Sequence, residues 1–240
     1  LHVVSGVDLS AATILDGFTI SDGNAATPQL WQRGGGIYLE SSSPHLRNLT
    51  IRRNLAGEGG GMFAFANSNP LIEAVRFEEN LAQRGGALYL KHSHPQITTA
   101  EFERNYTDGG DGGAVYALLS YVTISAGRFA DNDAYPEGGG MAIVAGAPRI
   151  LDAHFNANEA ACGGGLYADN AAPQIERAIF SANRTTYTCG GGGMFVENGS
   201  APYLSDVVFA ANRSTETYSS GGGGMLARAS APYLVNVSFF

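Results

Sequence analysis

Gly34-Gly35-Gly36-Ile37-Tyr38 is the first copy of a short motif that recurs along this 240-residue chain. In each copy two or three small residues precede an aliphatic residue, which an aromatic residue usually follows. The aliphatic residues of the eight copies are Ile37, Met62, Leu88, Val115, Met141, Leu166, Met194 and Met225. They are separated by 25, 26, 27, 26, 25, 28 and 31 residues, so the chain is an array of similar units.

A second motif repeats in phase with the first. Three apolar residues stand at the spacing 0, +3, +5, beginning with Leu15, Phe18 and Ile20. A proline lies two residues before this set in seven units, and an asparagine lies three residues after its last member in seven. Apolar spacings near two residues, interrupted by glycine clusters and prolines, indicate short strands and exclude helical repeats. The asparagines are Asn54, Asn80, Asn105, Asn132, Asn158, Asn183 and Asn212.

These two motifs predict an all-β fold, a parallel β-helix (β-solenoid) in which each unit forms one coil of three short strands. Successive coils are expected ~4.8 Å apart, so that equivalent residues form ladders and the asparagines hydrogen-bond from coil to coil. We expect about nine coils of 25 to 31 residues in one domain over 1–240, with a first coil and long loop at 1–33 and regular coils at 34–240. The chain begins and ends inside strand-like runs, so we expect it to be a piece of a longer protein. Loops on one face are expected at 21–33, 106–111, 133–137, 184–190 and 213–221.

The pairing of GG[AG][ILMV] with Phe-x-x-Asn resembles the repeats of the chlamydial polymorphic outer membrane proteins, over roughly residues 12–240. More broadly, it is similar to the right-handed parallel β-helix regions of bacterial secreted and surface proteins. The resemblance implies a right-handed solenoid and a surface location. It does not select one function, because the same architecture hosts adhesins, autotransporter passengers, polysaccharide lyases and structural fibres.

Charge and hydropathy exclude some partners. The formal net charge is −8, from 22 acidic and 14 basic residues, which argues against nucleic acid and anionic membranes because both need a basic surface. The sequence contains no apolar run near the ~20 residues of a membrane span. No cofactor motif is present either, such as a phosphate-binding loop or a Cys-His zinc spacing.

The two cysteines precede consecutive glycine clusters. Cys162 and Cys189 should therefore occupy nearly the same corner of adjoining coils. One coil of rise brings their Cα atoms near the ~5.5 Å that a disulfide requires. We predict a Cys162–Cys189 disulfide and an oxidising setting, either extracellular or at a cell surface.

Two sets of aromatic residues are candidates for a ligand or assembly face. The first set follows the aliphatic residue of the glycine motif and consists of Tyr38, Phe63, Tyr89, Tyr116, Tyr167 and Phe195. Rings exposed along one face suit a sugar or a flat protein contact, but a one-residue slip would place them in the core. The second set, for which solvated loops are the alternative, consists of Tyr106, Tyr135, Tyr187 and Tyr218.

Charged residues give two further candidates. Either a Ca²⁺ site or a solvated acidic edge is expected where adjacent coils bring together Asp108, Asp111, Asp131 and Asp133. The outward positions Arg76, Glu101, Arg128 and His154 share one column, which suits an alternating-charge ladder better than catalysis.

The sequence favours a non-catalytic extracellular structural or adhesive protein. Coils with unpaired strand edges at both ends suggest end-to-end assembly with other copies into a filament, unless further sequence caps them. Other expected partners are glycans or a host or cell surface. The alternative is a carbohydrate-binding or polysaccharide-degrading β-helix, which requires an exposed aromatic cleft beside a carboxylate and a base.

Overall fold

A computed structural model describes residues 1–27, 30–186, 189–215 and 221–240. The chain winds as an all-β parallel solenoid, as predicted, with no helix among these residues. Strands of successive coils pair in parallel, and four sheets of nine strands run along the described part of the molecule. We number the sheets in the order in which the chain passes through them.

Sheets 1 and 2 follow the glycine cluster and the proline, respectively. Sheet 1 contains Val4–Val7, Ile37–Glu40, Met62–Phe65, Leu88–Lys91, Val115–Leu118, Met141–Val144, Leu166–Asp169, Met194–Glu197 and Met225–Ala227. Sheet 2 contains Ile14–Asp16, His45–Arg47, Leu71–Glu73, Gln96–Thr98, Thr123–Ser125, Arg149–Leu151, Gln174–Glu176, Tyr203–Ser205 and Tyr233–Val235.

Sheets 3 and 4 complete each coil. Sheet 3 contains Thr19–Ser21, Thr50–Arg52, Arg76–Glu78, Glu101–Glu103, Arg128–Ala130, His154–Asn156, Ile179–Ser181, Val208–Ala210 and Ser238–Phe239. Sheet 4 contains Asn24–Thr27, Leu30–Trp31, Leu55–Ala56, Leu81–Ala82, Tyr106–Thr107, Asp133–Glu137, Glu159–Cys162, Arg184–Thr185 and Arg213–Ser214.

Sheet 4 corrects the expectation of three strands per coil. Most of its strands lie where the sequence predicted loops, and several are only two residues long. Several contribute a single small inward residue, such as Ala56, Ala82 or Thr107, so their sequences carry no apolar alternation. Backbone hydrogen bonds still define it, for example from Leu81 N to the carbonyl of Asn54 at 2.9 Å.

The inward residues form the predicted ladders. Ile37 and Leu39 of sheet 1 point into the core, as do the equivalent pairs on later coils. The phenylalanines of sheet 3 stack parallel to one another, with ring centroids 4.4 Å apart between Phe129 and Phe155 and 4.6 Å apart between Phe155 and Phe180. In the coils between the first and the last, the strands of sheets 2 and 3 therefore bury the apolar residues that the 0, +3, +5 spacing selects.

Glycine at the corner before sheet 1 has two separate causes. Gly59 has a φ of +65°, a left-handed backbone that favours glycine. A Cβ on the next residue, Gly60, would lie 2.3 Å from the carbonyl oxygen of Leu81 on the neighbouring coil. The cluster thus allows both a sharp bend and close contact between backbones of successive coils.

Candidate functional site

The asparagine ladder is the most regular polar feature of the interior. The Asn158 amide nitrogen donates to the Phe129 carbonyl at 3.0 Å and to Asn183 Oδ1 at 2.9 Å. Asn158 Oδ1 in turn accepts from the amide nitrogen of Asn132 at 2.9 Å. The same pattern runs from Asn54 to Asn212, which places the predicted asparagines inside the coil and bonds them from coil to coil.

A serine ladder at the corner between sheets 1 and 2 was not anticipated. The buried members are Ser42, Ser68, Ser93, Ser120 and Ser200. The hydroxyl of Ser68, for example, accepts from the backbone N–H of Ser42 at 3.0 Å and donates to the carbonyl of Phe65 at 2.7 Å. The available signal was a serine two residues before the Pro position, which recurs in most units.

The aromatic column lies on the outer face of sheet 1, yet most of it is buried. Only Tyr38 is partly exposed, and its hydroxyl donates to Glu40 Oε2 at 2.9 Å. Of the two alternatives, an exposed strip is wrong for the buried members. They are buried because the segment before each glycine cluster folds over them, and they form a second apolar cluster outside the main core. These buried rings belong to Phe63, Tyr89, Tyr116, Tyr167 and Phe195.

The cover of this column is a row of residues directly before the glycine clusters, which we call the pre-glycine column. The Arg33 guanidinium lies over the Phe63 ring, with Cζ 5.0 Å from its centroid, and Nε donates to Glu58 Oε2 at 2.9 Å. Arg84 likewise lies over the Tyr116 ring, and Cys162 packs within the same apolar cluster. Sequence reasoning missed this covering role, although the residues repeat in phase. The column consists of Arg33, Glu58, Arg84, Asp111, Glu137 and Cys162.

Glu137 stands where this column departs from its alternating charges. Arg33, Glu58, Arg84 and Asp111 alternate in sign, and Glu137 then follows Asp111 with a like charge. Its strand also shifts register against the next coil between Ala134 and Glu137, which is a β-bulge or similar irregularity. Bulges re-aim side chains and are over-represented beside active sites, so this coil is the candidate functional site.

Burial and like charges make Glu137 a proton-binding group. Desolvation is the largest cause, followed by the negative charge of Asp111, and together they raise the pKa of Glu137 to about 7, although the Tyr167 hydroxyl opposes the shift. Glu197 and Asp169 add smaller contributions in the same direction. Burial also raises the pKa of Asp111, against the lowering effect of Arg84.

Tyr167 interacts with the carboxyl groups of both Glu197 and Glu137. The tyrosine hydroxyl donates to Glu197 Oε1 at 2.7 Å, and its hydrogen-bond interaction with Glu137 favours the charged form of that carboxyl group. Desolvation also raises the pKa of neighbouring Tyr116 to about 12, so that ring remains neutral. Because its pKa is about 7, the Glu137 carboxyl group can take up and release a proton near neutral pH.

Replacing Glu137 with glutamine should flatten the pH dependence of stability. Because folding raises this pKa from 4.5 to about 7, the folded state binds the proton more tightly and stability falls as pH rises between those values. After discounting for solvent screening of this half-exposed group, the fall should be ~1–2 kcal/mol. Chemical denaturation from pH 4 to 8 measures it.

The matched control is Glu58→Gln in the same column, whose carboxylate pairs with Arg33. It should lower stability modestly and leave the fall between acid and neutral pH in place. An unchanged pH profile in Glu137→Gln would show that Glu137 does not carry this proton.

The predicted disulfide is present, and it joins the covering segments of two coils. Cys162 and Cys189 have Cα atoms 5.0 Å apart and lie within the second apolar cluster beside Tyr167 and Phe195.

Reduction of this disulfide should lower the free energy of unfolding by about 3 kcal/mol, because the bond closes a loop of 27 residues. Thermal unfolding with and without reductant tests this, and Cys162→Ser/Cys189→Ser, which lacks the bond, should show no response to reductant.

Two of the four loop tyrosines can be placed. Tyr106 and Tyr135 are exposed on the outer face of sheet 4. Tyr187 and Tyr218 lie outside the described residues.

The four aspartates do not converge on a cation. Asp111 belongs to the pre-glycine column, whereas Asp131 and Asp133 flank the corner between sheets 3 and 4. Within the four described ranges, no three His, Cys, Asp or Glu side chains are grouped so that they could hold a metal ion. The Ca²⁺ expectation at Asp108, Asp111, Asp131 and Asp133 therefore receives no geometric support.

The outward column of sheet 3 has the predicted register. Arg76 pairs with Glu101, Glu101 with Arg128, and Arg128 with His154. Arg76 Nη1 lies 3.9 Å from Glu101 Oε2, and His154 Nε2 lies 2.9 Å from Ser181 Oγ. These contacts join neighbouring coils.

In the part of the chain that the structure describes, no helix has the length and apolar character needed to cross a membrane. No protein-family model matches the chain, and neither a curated protein nor a solved structure matches it.

Proposed function

We propose that the protein is a non-catalytic extracellular solenoid with a structural or adhesive role. One observation carries the proposal: along the described part of the solenoid, the repeated polar residues bond from coil to coil in ladders. Asn132 and Asn158 illustrate this in the interior, and Arg177 with Asp152, joined at 2.7 Å, illustrates it on the surface. Bonds between neighbouring coils stabilise an extended, rigid solenoid, which suits a structural or adhesive role.

The disulfide supports the extracellular location, because such bonds persist in oxidising compartments. On this proposal the protein is a counterpart of the bacterial surface β-helices that its repeats resemble, including the chlamydial ones, with a right-handed winding. Its partners are then a glycan or a cell surface.

Assembly with other copies is part of the proposal. The first coils expose Ile14 and Phe18, and the last coils expose Tyr233, Leu234 and Phe239. Phe18, Leu234 and Phe239 continue the inward ladders, so a second copy stacked where no further coil covers them would extend the core and pair the open strand edges.

Immunogold labelling of intact source cells tests the surface location, with external protease as the control. We expect label on intact cells that protease removes. Label that appears only after permeabilisation contradicts the surface location.

Electron microscopy of the protein purified from that source tests assembly, and short single rods at high concentration contradict end-to-end stacking.

A polysaccharide-degrading solenoid is the second candidate, favoured by the Glu137 site. Glycoside hydrolysis uses a general acid with a raised pKa beside a second carboxyl group, and Glu137, with a pKa raised to about 7 beside Asp111, suits the general acid. The test is release of reducing ends from a panel of polysaccharides, which Glu137→Gln should abolish. Absence of release from every polysaccharide, or full activity in that variant, argues against this candidate.

A further inference from the structure

The corner between sheets 3 and 4 changes character halfway along the solenoid. Each coil places one residue with left-handed backbone there, and the early coils carry Arg53, Glu79 and Arg104. Their side chains are long and joined by ion pairs, such as Arg104 Nε to Glu79 Oε1 at 3.3 Å. The later coils carry alanine at the same position, namely Ala157, Ala182 and Ala211.

The loss of those side chains opens a groove with a cavity volume of about 410 Å³, within the usual range for ligand sites. Ala157 and Ala182 line it on one side, and Asp133, Glu159 and Arg184 line it on the other. The three charged residues lie on successive strands of sheet 4 at paired positions. Over three coils spaced ~4.8 Å apart, the groove is roughly 10 Å long.

The polar groups on this wall remain partly available to a ligand. Arg184 Nε donates to Glu159 Oε2 at 2.7 Å, while more than half of the arginine side chain stays exposed. Partial burial and the like charge of Glu159 raise the pKa of Asp133. Asn132 does not contribute its side chain, because its amide is committed to the internal ladder.

An exposed aromatic ring stands at the end of the same wall. Tyr106 pairs in register with Asp133, and Tyr135 lies two residues further along the Asp133 strand. Both rings are about half exposed. A flat ring beside carboxylate acceptors and a guanidinium donor suits a ligand with apolar ring faces and many hydroxyl groups.

We propose that this groove, bounded by Ala157, Ala182, Asp133, Glu159 and Arg184, binds a non-acidic glycan. The inference rests on the adhesive role proposed above and assigns its ligand class. Asp131, Asp133 and Glu159 outnumber the single guanidinium of Arg184, so the groove repels uronate and sulfated chains. Neutral and amino sugars remain, as ligands whose hydroxyl groups donate to carboxylates and accept from Arg184.

The test compares two arginine substitutions in the same column. Ala182→Arg fills the groove, and Ala211→Arg places the same side chain one coil further on, outside the residues that line it. Both positions share the left-handed backbone, with φ of 55° and 53°. The fold accepts arginine there, since Arg53 and Arg104 occupy equivalent corners with φ of 50° and 52°.

Isothermal titration of the 240-residue chain with chitotetraose and with glucosamine tetramer provides the readout, and tetragalacturonate is the acidic comparison. We expect saturable binding of a non-acidic probe and none of tetragalacturonate. Ala182→Arg should weaken binding at least ~10-fold by blocking the contacts, and Ala211→Arg should not change it. Tyr106→Ala should weaken binding about 3- to 10-fold through loss of the ring face.

Several outcomes would overturn the assignment. Equal binding by Ala182→Arg and the parent chain would place any glycan site elsewhere and leave the adhesive role intact. Absence of binding to both non-acidic probes, tighter binding of tetragalacturonate, or preference for a basic peptide would each reject the ligand class. Surface labelling of cells tests the proposed surface location separately, so failure of the groove and failure of the proposed location are distinguishable.

Discussion

Phe155→Ala is expected to lower the free energy of unfolding by about 4 kcal/mol. Phe155 is fully buried and stacks between Phe129 and Phe180, with ring centroids 4.4 and 4.6 Å away. Truncation removes the buried ring and leaves a cavity between two rings held by their own coils. The neighbours cannot close it without shifting the coil spacing, which the backbone hydrogen bonds fix.

The matched control is Phe239→Ala in the same column. Phe239 is half exposed and stacks on one ring only, Phe209, at 4.9 Å. Its truncation should cost about 1 kcal/mol, because one side of the ring already faces solvent. Denaturant unfolding measures the free energy of unfolding of both variants. Hydrogen exchange shows which coils lose protection, since each coil of a solenoid contacts only its neighbours and coils open in local groups. Equal effects at the two positions would contradict a packed aromatic ladder.

The inward ladders were predictable from sequence because each depends on one residue per coil at a fixed phase. Phe77 and Phe102 stand at the same place in their units, and parallel pairing aligns them without further information. Register in a solenoid follows from the repeat itself. The same reasoning placed the asparagines inside the coil and the two cysteines on one corner.

The outer face of sheet 1 was not predictable in the same way. Both faces of its strands are apolar, so alternation does not say which is the core, and here both are buried. The cover comes from short segments of irregular length before the glycines. Whether those segments fold over Tyr89 or project into solvent depends on packing with neighbouring coils, which no single unit encodes.

Two places where the repeat changes are also the two candidate sites. Glu137 breaks the charge alternation of the pre-glycine column on the coil where Ala142 replaces the aromatic residue. Ala157 and Ala182 replace long charged side chains at another corner. A position that only stabilises the solenoid can carry the same type of residue in every coil. Departures from that residue type, as at Glu137, Ala157 and Ala182, are therefore where a specific function is expected.

Asn158→Ala is expected to lower the free energy of unfolding by about 4 kcal/mol or more. The substitution removes the side-chain bonds to the Phe129 carbonyl, Asn132 and Asn183, and it leaves buried polar groups of adjoining coils without partners. Each such orphaned group costs ~1–3 kcal/mol. A water cannot easily replace the amide, because Asn158 is fully buried among close-packed coils.

Asn156→Ala, two residues earlier, is the matched control. Asn156 lies on the outer face of sheet 3, where its Oδ1 accepts from the Ser181 hydroxyl at 2.9 Å, and solvent can replace that bond. Its loss should cost less than about 1 kcal/mol. Denaturant unfolding should separate the two variants by several kcal/mol. The backbone N–H of Asn132 donates to Asn158 Oδ1 at 3.1 Å, so its hydrogen exchange should accelerate only in Asn158→Ala. If both variants unfolded alike, the ladder would be a consequence of the solenoid and not one of the interactions that hold its coils together.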